Sequence, residues 1–175
     1  MSKSAPEKAA QSKKQPEKSF QDVLQAHSGQ RHVVVIQDYP DPDAISTAYA
    51  HKIISHAYSI DVDILYSGRI SHQQNLALVN LLGIELVPFS SDLDLSVYAG
   101  AIFLDHQGTT AKKICKALER FKVPVVMIID HHEPQSHQQA EFTDIRSIGA
   151  TASLYAQYLE QGIISLDSAQ DEHVK

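Results

Sequence analysis

Five short runs rich in apolar and β-branched residues, at 33–36, 62–66, 86–89, 101–104 and 125–129, are spaced along the chain, mostly with longer stretches of helical period between them. Several of these runs are continuously apolar rather than alternating, which is how strands read when both their faces are covered. Helical length and period occur at 44–57, 71–82 and 109–121. A short helix is expected from about Ser19, where Phe20, Val23 and Leu24 have helical spacing, and a last one from about Gly149 to Glu160, stopped by Gly162 as a C′ glycine. Strand, helix, strand in repetition predicts an α/β fold: a Rossmann-like parallel sheet with helices on both faces. Leu166, Asp167 and Ser168 read as the entry to a further helix, so the architecture is expected to be incomplete at the C-terminus.

A chain of 175 residues fits one domain with one core. Residues 1–18 lack large apolar anchors and are predicted to be a disordered tail, with the domain at 19–175. The formal charge of -6 supplies no global basic field, so extended duplex nucleic acid is not an expected partner and a short single-stranded oligonucleotide or nucleotide is. Cys115 is the single cysteine, which excludes an internal disulfide and a multi-thiolate zinc site and fits the cytoplasm. No apolar run approaches the roughly 20 residues a membrane span needs. Oligomeric state is left open by the sequence.

The three most apolar runs each lead into carboxylates. Residues 33–36 are followed by Gln37-Asp38-Tyr39-Pro40-Asp41-Pro42-Asp43, residues 101–104 by Asp105-His106, and residues 125–129 by Asp130-His131-His132. In an open parallel sheet the carboxyl ends of the strands share one edge, where ligands bind. Acidic and imidazole groups would converge there. Taken singly, each segment has a plainer reading: Asp43 as the N-cap of the next helix, Asp105 as a strand terminator, the histidine pair as a surface loop. Taken together, carboxylates so placed would repel one another unless a cation lay among them. Oxygen and imidazole donors without thiolate suit Mn²⁺, Mg²⁺, Fe²⁺ or Co²⁺, and two such ions can activate water and hold a phosphoryl group.

With these segments in that order, the sequence resembles the DHH phosphoesterase superfamily, which includes RecJ-like exonucleases and bifunctional oligoribonuclease/phosphoadenosine phosphatase proteins. Pro40-Asp41-Pro42-Asp43-Ala44-Ile45-Ser46 is similar to motif I, Leu104-Asp105 to motif II, and Ile129-Asp130-His131-His132-Glu133 to motif III. Gly149-Ala150-Thr151-Ala152-Ser153-Leu154 is similar to the small, threonine-bearing stretch after motif III.

The resemblance implies a hydrolase of short oligonucleotides or of a nucleoside bisphosphate such as 3′-phosphoadenosine 5′-phosphate, using two divalent ions, with Mn²⁺ expected. It implies Asp41, Asp43, Asp105 and His131 as metal ligands. His132 would donate to the substrate phosphate, and Asp130 would orient the histidine pair from behind. Gln37 stands where the family commonly has a ligating histidine; its amide oxygen is a poorer ligand, with Asp38 or water as alternatives. The family's later aspartate and its DHHA1-type domain have no counterpart before Lys175. The alternative reading is therefore a non-catalytic metal- or nucleotide-binding module derived from that fold, or one that needs a missing domain for activity. Arg69, His72 and Asn75, in a polar segment entering a helix capped by Ser71, are weaker candidates for substrate contacts, as are Arg146 and the backbone N–H groups of Gln107-Gly108-Thr109-Thr110 at a helix start.

Overall fold

A computed structural model of the protein describes residues 18–135 and 138–165. The elements run α1 (Phe20–Ala26), β1 (Arg31–Val35), α2 (Pro42–Ala57), β2 (Asp61–Tyr66), α3 (Gln73–Leu82), β3 (Leu86–Pro88), a 3-10 turn (Leu95–Val97), β4 (Gly100–Leu104), α4 (Lys112–Phe121), β5 (Val125–Asp130), β6 (Phe142–Ile145) and α5 (Thr151–Glu160). The strands form one sheet in the order β3-β2-β1-β4-β5-β6, and every pairing is parallel. The chain winds outward from β1 through β2 to β3, then returns to place β4 on the other side of β1. That reversal opens a crevice at the carboxyl ends of β1 and β4.

Strand residues of alternate parity feed two cores. Val34, Ile36, Ile64, Ile102, Leu104, Met127 and Ile129 pack with Phe20, Leu24, Ile45, Ile54, Leu154 and Tyr155 from α1, α2 and α5. Val33, Val35, Leu65, Ala101, Phe103 and Ile128 pack with Leu95 and with Ile114, Ala117 and Leu118 of α4. Helices on both faces explain why the central strands carry no polar face.

Local chemistry sets the helix ends. Ser19 caps α1 through a reciprocal capping box with Asp22. After α5, Gly162 at φ +78° lets its N–H reach Leu159 O and that of Ile163 reach Tyr158 O, the paired bonds of a Schellman stop. Some expectations need correction. The N-cap of α2 is Asp41, not Asp43, because Pro42 takes the first helical position, where its missing N–H costs nothing. Helix α3 starts at Gln73 after His72, with no side-chain cap, and Ser71 donates to Arg69 O instead. Helix α4 begins only at Lys112, so the N–H groups of residues 107–110 do not form its N-terminus. Strand β6 was not anticipated.

The tail expected at 1–18 lies outside the described residues except for Lys18, which pairs with Glu141. The helix expected from residue 166 lies outside them altogether.

Candidate metal centre

The segment after β1 brings Gln37, Asp41 and Asp43 to the crevice. Asp41 Oδ1 accepts the Ala44 N–H at 2.9 Å, which fixes the carboxylate at the mouth of α2. Asp43, in the first turn of α2, reaches across to the start of α5. Its Oδ2 accepts the Thr151 N–H and its Oδ1 the Ala152 N–H, both at 2.8 Å. Ala150, the residue at the N-cap position of α5, makes no side-chain cap bond, so a carboxylate from the other end of the sequence supplies the anion this helix terminus favours.

Asp105 follows β4 in the left-handed region, at φ +60°, and is 2% exposed. Its Oδ1 accepts the Thr151 hydroxyl at 2.9 Å and its Oδ2 the Gln37 amide at 3.3 Å. Burial pushes its carboxyl up to about 7; the neighbouring charges of Asp43 and Asp41 add to this, while Thr151 and His132 oppose it.

The loop after β5 is organised by Asp130. Its Oδ1 accepts the backbone N–H groups of His131 and His132 at 2.8 and 3.2 Å and the His132 Nδ1–H at 2.7 Å. Burial disfavours the charged carboxylate, but hydrogen bonds from Gln107 and His132 outweigh it and hold Asp130 below its ordinary range. The Asp130 bond in turn raises His132. His131 donates from Nδ1 to Ile148 O at 3.0 Å, so the lone pair on Nε2 faces Asp105 Oδ1 at 3.4 Å and Asp43 Oδ2 at 3.6 Å. Donor atoms of Asp105, His131 and His132 lie within 4.8 Å of one another.

This donor set fits a divalent cation. A buried carboxylate reluctant to ionise faces an imidazole lone pair held in place by a backbone carbonyl, the support that ligating histidines usually have. Asp43 Oδ1 accepts from both the Ala152 N–H and the Thr47 hydroxyl, so Oδ2, with the Thr151 N–H as its hydrogen-bond donor, is the oxygen with a lone pair to offer, and Asp41 lies close enough to influence the protonation of Asp105 and His132.

Other sequence candidates sit differently. Gln37 directs its amide nitrogen at Asp105, as a donor rather than a ligand. Asp38 accepts from the Ser67 hydroxyl. Arg146 forms a two-point pair with Asp144 at 2.7 and 2.8 Å and donates to Gln157 at 2.7 Å. Asn75 is buried and donates to Pro40 O, a structural role. Arg69 and His72 are exposed in the segment before α3. The Gly108 N–H is taken by His106 Nδ1.

Two supports were missed. Gln107 is buried; its amide nitrogen donates to Asp130 Oδ2 at 2.8 Å and Glu133 O at 3.1 Å, and its oxygen accepts from Gln135 N at 2.7 Å. His106, stacked on Phe103, has its ring protonation depressed to about 4 by burial; as a neutral ring it donates from Nε2 to Val35 O, tying β4 to β1. Adjacency to Asp105 was the available signal for both.

The model of the DHH family, N-terminal domain, matches residues 32–173. An uncharacterized protein of Methanocaldococcus jannaschii is 39% identical over 121 residues, covering 69% of this chain and 24% of that protein. The crystal structure of an exopolyphosphatase-related protein from Bacteroides fragilis superposes with a TM-score of 0.54 at 13% identity, over 80% of this chain and 42% of that one. The chain thus spans about a quarter of its curated relative's length and less than half of its structural neighbour's.

Proposed function

Because the chain belongs to the DHH family, we propose that it is the metal-binding part of a phosphoester hydrolase acting on short single-stranded oligonucleotides or on a nucleoside bisphosphate such as 3′-phosphoadenosine 5′-phosphate. The observation that carries this reading is the buried Asp105 carboxylate, which accepts the Thr151 hydroxyl and has His131 Nε2 3.4 Å from the same oxygen. Asp41, Asp43, Asp105 and His131 would hold the cations, with Mn²⁺ our assignment from the oxygen-rich donor set. Bound cations would supply Lewis acidity toward a phosphoryl oxygen and acidify water. The chain's own residues do the rest. Asp130 accepts the Nδ1–H of His132 and favours its protonated ring, and that imidazolium would donate from Nε2 to a non-bridging phosphoryl oxygen, where negative charge grows during in-line displacement. Asp43 and Thr151 keep the first and last helices of the site in register. We assign the protein to a reducing compartment, the cytoplasm, on its single thiol.

The test is hydrolysis of a 5′-phosphorylated dinucleotide and of the bisphosphate with Mn²⁺. His131→Ala should lower turnover at least 100-fold. Absence of turnover by the unmodified chain with every divalent ion tried refutes catalysis by this chain. The orientation of the Gln37 amide favours a second reading, a module that binds metal and nucleotide without turnover. Tight nucleotide binding unaccompanied by hydrolysis selects it.

A further inference from the structure

At the opposite edge of the sheet, where the strands begin, three donor atoms meet. His27, the residue closing α1, Gln30 in the following turn and His32 in β1 place Nδ1, Oε1 and Nε2 in a triangle. Its sides are 2.8 Å (His27 to Gln30), 3.1 Å (His27 to His32) and 3.2 Å (Gln30 to His32). We propose that these three atoms form a second metal site, specific for a Zn²⁺-type ion and separate from the carboxylate centre.

Without an ion the three atoms are joined by hydrogen bonds. The Gln30 amide oxygen only accepts, and a ring nitrogen without its proton presents one lone pair in the ring plane, so the same three atoms can turn lone pairs to a cation. Glu141 Oε1 lies 3.1 Å from His27 Nε2, where a ring proton finds its partner while Nδ1 is given to the ion. A carboxylate on the far nitrogen is the usual companion of a metal-bound histidine. His32 is 1% exposed, and burial depresses its ring to about 4, so it is neutral at pH 7. Ligands roughly 2.0–2.1 Å from a tetrahedral Zn²⁺ lie roughly 3.3 Å apart, so shifts of a few tenths of an ångström admit the ion, with water completing the shell. Two imidazoles and a neutral amide suit Zn²⁺ or Ni²⁺ over the Mn²⁺ or Mg²⁺ that suits the carboxylate centre. The ion would pin α1 to β1 and, through Glu141, to the entry of β6.

The experiment uses the full chain with Asp105→Asn and His131→Ala, which disable the first centre. Calorimetric titration with Zn²⁺ should give one ion per chain. His27→Ala or Gln30→Ala added to that background should weaken binding at least tenfold while circular dichroism stays unchanged. Long-range ¹H–¹⁵N spectra should show Zn²⁺ on Nδ1 of His27 and Nε2 of His32. Absence of Zn²⁺ binding by the folded double variant at about 100 μM overturns the proposal, as does binding that survives both added substitutions. Neither result bears on hydrolysis, which is measured in the unmodified chain.

Discussion

Replacing Asp105 with Asn in metal-free protein should make the fold more stable while destroying its ability to hold metal. The carboxyl titrates near 3.8 in an unfolded chain and near 7 when buried beside Asp41 and Asp43. Between those values the folded state holds the extra proton. The stability this group allows is therefore fully present below about 3.8, declines as pH rises, and is lost above about 7. Roughly three units at ~1.4 kcal/mol each give a penalty of about 4 kcal/mol at pH 8. Asn is neutral and of the same shape. Its oxygen keeps the Thr151 bond, and Gln37 can turn its amide to accept from the new amide nitrogen. Urea unfolding in a chelator from pH 4 to 8.5, plotted as Asp105→Asn minus wild type, should rise from near zero at the acid end to between about 2 and 4 kcal/mol at pH 8. With Mn²⁺ at 100 times its dissociation constant the wild type should regain about 2.7 kcal/mol and the variant nothing. A variant no more stable than wild type at pH 8 in chelator would refute this account of Asp105.

Asp41 both caps α2 and faces the centre, so Asp41→Ser should keep the cap while Asp41→Ala loses about 1 kcal/mol more in thermal unfolding, with metal affinity reduced equally in both. Gln107→Leu removes three hydrogen bonds, one to a carboxylate, and should cost about 2–4 kcal/mol in urea unfolding with a parallel fall in turnover. Buried His51 is depressed to about 3, so its contribution is present above 6.5 and lost as pH falls; His51→Gln should remove about 2 kcal/mol of the stability lost between pH 7 and pH 5, measured by urea titration at the two pH values.

The parts legible in the sequence were those governed by local pattern. Strands β1, β4 and β5 are buried on both faces, so their apolar runs stand out, and the acidic residues that follow them share an edge because the sheet is parallel. Strand β6 was hidden for the opposite reason. It lies at the sheet edge, only four residues long, and its Asp144 serves Arg146 and Tyr158 rather than solvent. Gln107 looked like loop sequence because its partner Asp130 is distant in the chain. Beside its expected role as a ligand, Asp43 taken singly reads as the cap of the helix that follows it. It is a cap, but for α5, a helix that starts 108 residues later.

That reach across the chain gives the centre a place in time as well as in space. Asp43 emerges early in synthesis, yet the two backbone groups that hold it arrive only with Thr151 and Ala152. A nascent chain can pair β1 with β2 long before then, but Asp43 stays without its anchor. The closure of this long loop is a late event in folding. Cotranslational maturation of the metal centre should consequently wait on α5, whatever the speed at which the central strands assemble.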